Sequence, residues 1–366
     1  MNSAIRKKNA SIDGLQYLRG IAALMVVFFH SRSYFSDVPS WTGIGARGVD
    51  LFFVISGFIM AYSTQHLGAD MAAVKASLVF LAKRVIRVVP LYWIAVLWTS
   101  APYWIAWLTA TGSLGDLYAN FSPELTSFLK DMAFIPHLSV DEDEQGEIFP
   151  IVIQGWTLNY EMFFYFIFGL SLLLRKQRLV AVSLLIVILV VIGKLHKFTD
   201  VTGLFYTSSI LIEFVFGIML FHVYTKTHQV TFDRVTLVVL GVIGFLLLNS
   251  GSNVNDKFVL AVAATIIAWV FIHAFRGVHI GSLKLLGDAS YSIYLFHPAA
   301  FLLARWFIGH AGIGREGYLN VVIIVMVQVC VALVIGMAIY YLVEKPMLKT
   351  LRKALGRVVS SAPVKK

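Results

Sequence analysis

The sequence predicts an all-α, polytopic integral membrane protein, and three observations support this prediction. Of the 366 residues, 58% are hydrophobic and only 14% are charged, which is more apolar surface than a soluble protein of this size needs. The hydrophobic residues are concentrated in runs long enough to cross a bilayer as helices. The 28 Phe, 15 Tyr and 8 Trp residues supply the aromatic anchors found at membrane interfaces.

Ten such runs are present, and no linker is long enough to separate two domains. We therefore expect a single membrane domain over residues 1–366 with about ten transmembrane helices. The basic start, Arg6-Lys7-Lys8, precedes an apolar run without a clear small-residue cleavage site, which indicates an uncleaved first helix. The predicted helices are 14–34, 47–64, 88–108, 149–173, 179–195, 203–224, 233–250, 257–275, 289–309 and 318–343.

The distribution of Lys and Arg predicts the orientation of these helices. If the N-terminus is cytoplasmic, the inside segments hold more than twice as many basic residues as the outside segments, including a basic tail at about 345–366. Both termini are then cytoplasmic. The largest outside segment, about 109–148, contains the acidic run 141–144. The acidic composition is explained by a solvated loop whose like charges repel each other. The alternative interpretation is a lid or a cation site.

Composition also limits the chemistry. The net charge of +10 could indicate nucleic acid, but the charges fall between the apolar runs, so topology explains them and no nucleic-acid partner is expected. The single cysteine, Cys330, excludes an intramolecular disulfide and a cysteine metal cluster. The sequence has no zinc-binding spacing, phosphate-binding glycine loop or Gly-x-Ser-x-Gly elbow, so no metal is expected.

The first predicted helix carries two ionisable residues, Arg19 and His30. Eleven residues of α-helix rise about 16 Å and leave the two side chains about 20° apart, so they share one face. An ionisable residue inside a membrane indicates a functional site, and imidazole suits proton transfer near neutrality. The alternative is that Arg19 snorkels to the interface and His30 caps the other end of the helix.

The second helix begins with Asp50 at about the depth of His30. A carboxylate there could orient the imidazole and stabilise its protonated form. Alternatively, Asp50 is a first-turn acid that interacts with the helix dipole. The following pair, Ser56-Gly57, indicates a close helix contact rather than a nucleophile.

The third helix has Arg84 and Arg87 at its predicted cytoplasmic end. Three residues apart, they lie on one face of a helix, and guanidinium groups bind phosphate oxygens bidentately. We consider them candidate phosphate ligands, with ordinary positive-inside flanking charge as the alternative.

Other polar residues lie well inside apolar runs. Glu161 in the fourth helix is costly to bury unpaired, so it should pair with a membrane Arg or His or be protonated. Glu213 in the sixth helix poses the same question. In the ninth helix Tyr294 and His297 share a face, and with Glu161 they are candidates for pairing with Arg19 or shaping an acceptor cavity.

Taken together, these residues resemble the acyltransferase-3 family of bacterial membrane acyltransferases. Six matching segments occur in family order and span nearly the whole chain. They are Arg19 with His30, Gly48-Val-Asp50-Leu-Phe-Phe-Val-Ile-Ser56-Gly57-Phe58, Arg84-x-x-Arg87 before Pro90-Leu-Tyr92-Trp93, Trp156-x-Leu-x-x-Glu161, Tyr291-Ser-Ile-Tyr294-Leu-Phe-His297-Pro298, and Glu344-Lys-Pro346. One departure is Asn159-Tyr160, where many members have Ser-Val, so Asn159 receives no role.

The resemblance implies a ten-helix core in the bacterial inner membrane, a coenzyme A thioester donor and transfer to a carbohydrate hydroxyl. The chain looks most like the branch that acetylates exopolysaccharides. We therefore expect an O-acyltransferase in which Arg19, Arg84 and Arg87 hold acetyl-CoA from the cytoplasm. His30, oriented by Asp50, would remove the hydroxyl proton, and a covalent acetyl-His30 intermediate is the competing mechanism.

The expected partners are a carbohydrate acceptor, lipid-linked or already polymerised, membrane lipids and polysaccharide synthesis machinery. Two other classes of function are compatible with the sequence. A proton-coupled exporter or flippase of a lipid-linked saccharide would use the buried Arg, His and Glu side chains as a proton relay, although inverted repeats and paired broken helices are not visible. A scaffold would need neither Arg19 nor His30.

Overall fold

The computed structural model of the protein describes residues 12–32, 40–65, 72–109, 125–138, 148–254, 256–314 and 317–361. Over these ranges the chain forms helices joined by turns and short segments, without a β-strand. The all-α fold class is therefore confirmed. The acidic run 141–144 lies outside the described residues.

The helices are numbered here in chain order. They are α1 (Asp13–Ser31), α2 (Gly48–Thr64), α3 (Ala73–Thr109), α4 (125–132), α5 (Gly155–Ser171), α6 (Arg178–Leu195), α7 (Val201–Tyr206), α8 (Ile212–Thr227), α9 (Arg234–Val254), α10 (Lys257–Ala274), α11 (Gly281–Asp288), α12 (Ser290–His310), α13 (Tyr318–Ile339) and α14 (Lys345–Ser361). Short 3₁₀ segments occur at Ser40–Arg47, Leu172–Gln177 and Ser209–Leu211, and a π-helical turn at Tyr340–Glu344.

Among the described residues, five helical stretches are long and apolar enough to cross a membrane. They are Gly43–Thr64, Gly155–Leu195, Val201–Thr227, Lys257–Ala274 and Tyr318–Arg357. Each of the ten predicted runs overlaps a helix of the structure. The count of ten spans and the cytoplasmic position of both termini stay predictions.

The chain divides into two compact units, and each draws on two separate parts of the sequence. The first unit contains Met1–Gln65 and Ile212–Met337, and the second contains His66–Leu211 and Ala338–Lys366. The single functional domain expected over residues 1–366 stays a prediction.

In the first unit, α1 packs against α2, α10, α11 and α12. Its apolar side chains Tyr17, Leu18 and Val27 are buried in this packing. The Tyr17 hydroxyl donates to the Val278 carbonyl over 3.0 Å and accepts from the Ile280 N–H over 2.6 Å. Those bonds attach the beginning of α1 to the connection between α10 and α11.

The most extensive helix contact in the first unit joins α2 and α8. Gly57 and Gly217 meet at its centre. A Cβ on Gly57 would overlap the Phe214 carbonyl, and a Cβ on Gly217 would overlap the Val54 carbonyl. Small residues permit this backbone approach, so the expectation of a close helix contact at Ser56-Gly57 is confirmed.

In the second unit, the 37-residue helix α3 packs against α5 and α14. Phe80, Phe164 and Phe168 form its aromatic core. The Ser77 hydroxyl donates to the Gly169 carbonyl over 2.7 Å and bonds α3 to α5.

Candidate active site

The imidazole of His30, in the last turn of α1, contacts a second imidazole from α12. His30 Nδ1 lies 3.0 Å from the Val26 carbonyl oxygen and 3.2 Å from Nε2 of His297. The two ring centroids are 4.9 Å apart. The sequence proposed both histidines but not their contact.

A proline explains how His297 is held. In a helix the N–H of residue 298 would donate to the carbonyl of residue 294, but Pro298 has no N–H. The freed Tyr294 carbonyl lies 2.7 Å from Nδ1 of His297. His297 itself is completely buried, so its polar atoms must find partners within the protein.

These contacts assign the protons on both rings. Carbonyl oxygens only accept, so Nδ1 of His297 carries hydrogen to bond Tyr294 and Nδ1 of His30 carries hydrogen to bond Val26. Nε2 of neutral His297 is then an acceptor and faces the Nδ1–H of His30. Nε2 of neutral His30 is left with its lone pair, which is the form a general base needs.

Asp50, the partner predicted for His30, is bonded elsewhere. Its carboxylate accepts from the Lys257 ammonium over 2.8 Å and lies 3.9 Å from the Arg47 guanidinium. Within the described part of the chain, none of the hydrogen bonds of Asp50 goes to His30. Asp50 is nevertheless in the first turn of α2, as the alternative interpretation has it.

Glu213 belongs to the same buried cluster as Asp50. Its carboxylate lies 3.6 Å from the Lys257 ammonium and is completely buried. Asp50, Glu213 and Lys257 all sit in the first turns of their helices, α2, α8 and α10. Lysine is unfavourable at a helix N-terminus, so the two carboxylates compensate its position.

Tyr294 lies beside the histidine pair. Its ring is buried and packs edge-on against Phe52 of α2 at 5.7 Å, and its centroid is 6.2 Å from that of His297. The Tyr294 ring therefore lies beside His297, in agreement with the prediction that the two residues share one face of their helix.

Arg19 lies on α1, three turns before His30. Its Nη1 is 3.4 Å from Oε1 of Gln16, and the Gln16 amide donates to Asp288 over 2.7 Å. The Arg19 side chain is partly exposed.

The other predicted residues belong to the second unit. Arg87 forms an ion pair with the buried carboxylate of Glu344, at the π-helical turn before α14. The guanidinium of Arg84 lies over the rings of Phe80 and Tyr165, at 5.5 and 5.7 Å from their centroids. Arg84 Nε is buried and has no hydrogen-bond partner among the described residues.

Glu161, in α5 of the second unit, accepts a hydrogen bond from the Tyr165 hydroxyl one turn later. The sequence predicted that Glu161 pairs with an arginine or histidine or is protonated. The donor in this hydrogen bond is instead the phenol of Tyr165. The signal was present in the sequence as a Tyr four residues after the Glu, on the same helix face.

A buried polar pair outside the five apolar stretches was missed by the sequence analysis. Oδ2 of Asp131 accepts from the Ile151 N–H over 2.8 Å, and its Oδ1 lies 3.7 Å from Nε2 of His137. Burial raises the pKa of Asp131 to about 7 and lowers the pKa of His137 below its usual value. No periodicity marked these residues, because they lie in and just after the short helix α4, outside the ten apolar runs.

Over the described ranges, no group of three or more His, Cys, Asp or Glu side chains is arranged to hold a metal ion. With a lone pair on Nε2, the neutral His30 imidazole can accept a proton from a hydroxyl or thiol, or act as a nucleophile itself.

Known proteins resemble this chain over most of its length. The acyltransferase domain family (Acyl_transf_3) matches residues 12–343. Exopolysaccharide production protein ExoZ of Rhizobium meliloti (strain 1021) is 34% identical over 317 residues, which cover 84% of this chain and 90% of the relative. The putative membrane-bound transacylase BcsY of Komagataeibacter xylinus is 30% identical over 181 residues, 48% of this chain and 41% of that protein.

No solved structure matches the chain. The family match extends over most of the sequence and includes both histidines of the pair, and the apolar helices are those of a membrane protein. The family inferred from the sequence motifs is thereby confirmed: this chain belongs to the acyltransferase-3 family.

Proposed function

We propose that the protein is a multi-pass O-acyltransferase of the bacterial inner membrane. It transfers an acetyl or other short acyl group from cytoplasmic acyl-CoA to a hydroxyl of an exopolysaccharide or its lipid-linked precursor. The observation that carries the proposal is the His30–His297 pair, which leaves His30 Nε2 as an oriented base. The Rhizobium relative is an exopolysaccharide production protein, which supports the acceptor class.

In the proposed reaction, His30 Nε2 takes the proton of the acceptor hydroxyl as its oxygen attacks the thioester carbonyl. The carbon–sulfur bond breaks, the new ester forms, and the thiolate of CoA receives the proton from His30. The products are the acylated sugar and free CoA. Between these steps His30 is an imidazolium, and its Nδ1–H bond to Nε2 of His297 spreads that charge.

The proposed donor site uses arginine for the phosphates of CoA. Arg84, whose guanidinium lies over the rings of Phe80 and Tyr165, would bind one phosphate through its terminal N–H groups. Arg87 is held by Glu344, which fixes its guanidinium and compensates one positive charge. Arg19 lies about 16 Å from His30 along α1, so a donor bound there can extend its acyl group toward the base.

The decisive experiment measures transfer of labelled acetyl from acetyl-CoA by the purified protein in proteoliposomes. His30→Ala should lower kcat by at least about 10²-fold, the usual contribution of a general base. The matched control is His310→Ala, because His310 ends α12 in an exposed position and bonds only to the Trp306 carbonyl over 2.9 Å in the described structure. An active His30→Ala protein would remove His30 from the mechanism.

The same preparation tests for the covalent alternative. An acetyl-His30 intermediate would produce ping-pong kinetics and labelled protein in the absence of acceptor. Direct transfer predicts that no label remains on the protein until the acceptor is added.

A second candidate function, a proton-coupled flippase of a lipid-linked saccharide, is favoured by the buried Asp50–Lys257–Glu213 cluster. Such intramembrane charges are used for proton coupling in transporters. Saccharide movement that depends on a pH gradient and not on acyl-CoA would support the flippase.

A further inference from the structure

The first unit contains a cavity at the end opposite the histidine pair. Its volume is about 170 Å³. The beginning of α1 and the C-terminal ends of α2, α8 and α10 enclose it, because its lining includes Asp13, Tyr62, Tyr224, His273 and Arg276. In the proposed orientation this end faces the cytoplasm.

Aromatic rings form one side of the cavity. The rings of Tyr62 and Tyr224 are 5.9 Å apart, and that of Tyr224 is 5.4 Å from His228. Over the ranges described here, neither tyrosine hydroxyl is hydrogen-bonded. These hydroxyls are therefore available to a flat heteroaromatic ligand with polar edges.

Positive charge surrounds the same opening. Arg276 is exposed, and of its five donors one bonds to the Val230 carbonyl, over 3.3 Å. His228 Nδ1 lies 3.1 Å from the Thr225 carbonyl, so Nε2 of the neutral ring is an acceptor and Arg276 is the anion ligand here. Asp13, the carboxylate of the lining, is already 3.3 Å from Nδ1 of His279. The cavity mouth therefore favours an anion.

The cavity is also too small for a complete donor molecule. Pockets that enclose a drug-sized ligand have volumes of about 300 Å³ or more, whereas this one is about 170 Å³. It can enclose one bicyclic base, with the rest of the ligand outside.

The helical repeat connects the cavity with the base. Ile12 lines the cavity, and His30 follows it by 18 residues, which is five full turns and a rise of about 27 Å. Arg19 lies seven residues after Ile12, about 20° from the same line. One face of α1 thus carries the cavity residue Ile12, the guanidinium of Arg19 and the imidazole of His30, in that order.

We infer that this cavity binds the nucleotide end of the acyl donor, with the purine base against Tyr62 and Tyr224 and a phosphate on Arg276. Arg19 then lies beside the connection between the nucleotide and the acyl group. The inference rests on the proposed function for the identity of the donor. The site itself is made of residues that the sequence analysis did not select.

The test compares two donors that share the thioester arm. Acetyl-CoA carries the nucleotide, and S-acetylpantetheine lacks it. In Arg276→Ala we expect KM for acetyl-CoA to rise about tenfold, which corresponds to about 1.4 kcal/mol, with kcat within twofold of wild type. KM for S-acetylpantetheine should not change. Arg234→Ala is the matched control, because Arg234 is exposed at the start of α9 and does not line the cavity.

Calorimetry with adenosine 3′,5′-bisphosphate tests the cavity without any chemistry. It should bind the wild-type protein, bind Tyr224→Phe more weakly because a hydroxyl is lost, and bind Arg276→Ala at least about tenfold more weakly. Unchanged binding in both variants would overturn the inference. So would an Arg276→Ala protein whose KM rises equally for both donors.

The experiments distinguish failure of the cavity assignment from failure of the acyltransferase proposal. If acetyl transfer is normal but the bisphosphate does not bind, the cavity assignment is wrong and the acyltransferase proposal stands. If the bisphosphate binds as expected and neither thioester is used, the proposed function is wrong. Displacement of the bisphosphate by phosphatidylglycerol vesicles, but not by phosphatidylcholine vesicles, would make the cavity a lipid headgroup site and overturn the inference.

Discussion

Pro298 has no backbone N–H, and this one missing donor determines how two imidazole rings are used. The Tyr294 carbonyl, left without its helical partner, lies 2.7 Å from Nδ1 of His297. Nε2 of His297 consequently faces the Nδ1–H of His30. A residue without a polar side-chain atom thereby sets the proton positions of both rings.

Substitution of His297 tests whether its imidazole orients that of His30. His297→Ala removes the acceptor for the Nδ1–H of His30, so we expect kcat to fall about 10- to 100-fold with little change in KM for the donor. His297→Gln restores an oxygen acceptor and should recover part of the rate. Steady-state kinetics of both variants, with thermal unfolding as a fold control, provides the measurement.

A purely structural role for His297 would give a different result. In that case both substitutions would lower the melting temperature, and KM and kcat would change together. The pH profile of kcat would also keep its wild-type shape, whereas loss of an orienting partner should shift it.

Asp131 provides a pH-dependent prediction at the same scale. Its pKa is about 7 in the folded protein and its ordinary value is 3.8, so the folded state holds a proton that the unfolded state has released between these values. The contribution of Asp131 to stability is therefore full below about pH 4 and is lost as the pH rises to about 7. His137 has the opposite tendency, since its pKa is lowered by burial.

Asp131→Asn isolates this contribution, because Asn keeps an acceptor for the Ile151 N–H and cannot ionise. The melting temperature of the variant relative to wild type should rise from pH 4 to pH 7 and stay constant above pH 7. The contribution of His137 is present in both proteins and cancels. A difference that does not vary with pH would show that Asp131 is ionised in the folded protein throughout.

At the scale of the elements, α2, α8 and α10 run in the same direction and have opposite chemistry at their two ends. Their first turns carry Asp50, Glu213 and Lys257, which form the buried charge cluster. Their C-terminal ends carry Tyr62 and Tyr224 and adjoin the cavity. Three parallel helices thus connect the two functional ends of the first unit.

Lys257 is expected to hold the first turns of these helices together. Lys257→Met leaves two buried carboxylates without their ammonium, so we expect a loss of about 3 kcal/mol in the free energy of unfolding. Lys194→Met, at an exposed position of α6, should have no such effect. The measurement is thermal or denaturant unfolding in detergent.

A double variant provides the internal control for that prediction. Adding Asp50→Asn to Lys257→Met removes one of the unpaired charges, so the double variant should be more stable than Lys257→Met alone. A lower stability in the double variant would mean that Asp50 has a partner more important than Lys257.

At the scale of the whole molecule, the sequence predicted helices and family well and side-chain partners poorly. Apolar runs and motif order depend on local sequence, and the structure places a helix at each predicted run. Periodicity gives the face and depth of a residue, but not which helix packs beside it. Asp50 was therefore the partner predicted for His30, and only the packing of α1 against α12 identified His297.

The ion pair of Arg87 with Glu344 illustrates the same limit. The two residues are separated by 257 positions in the chain, and both were noted as parts of motifs. The second unit is completed by the segment that follows Met337. No local sequence pattern indicates that this segment belongs with residues 66–211. The cavity residues escaped notice because two tyrosines, two histidines and an arginine at helix ends are ordinary interface residues when considered one helix at a time.

The contact between Gly57 and Gly217 has a further consequence for the cell. A bacterium stores energy as a proton gradient across its membrane, and a protein with ionisable groups at both ends of one helix bundle would discharge that gradient if water could fill the space between. At this contact the backbones of α2 and α8 touch, so no file of water molecules fits between the two helices. The two glycines therefore close the space between α2 and α8 to water at this level, between the charge cluster at one end of these helices and the cavity at the other.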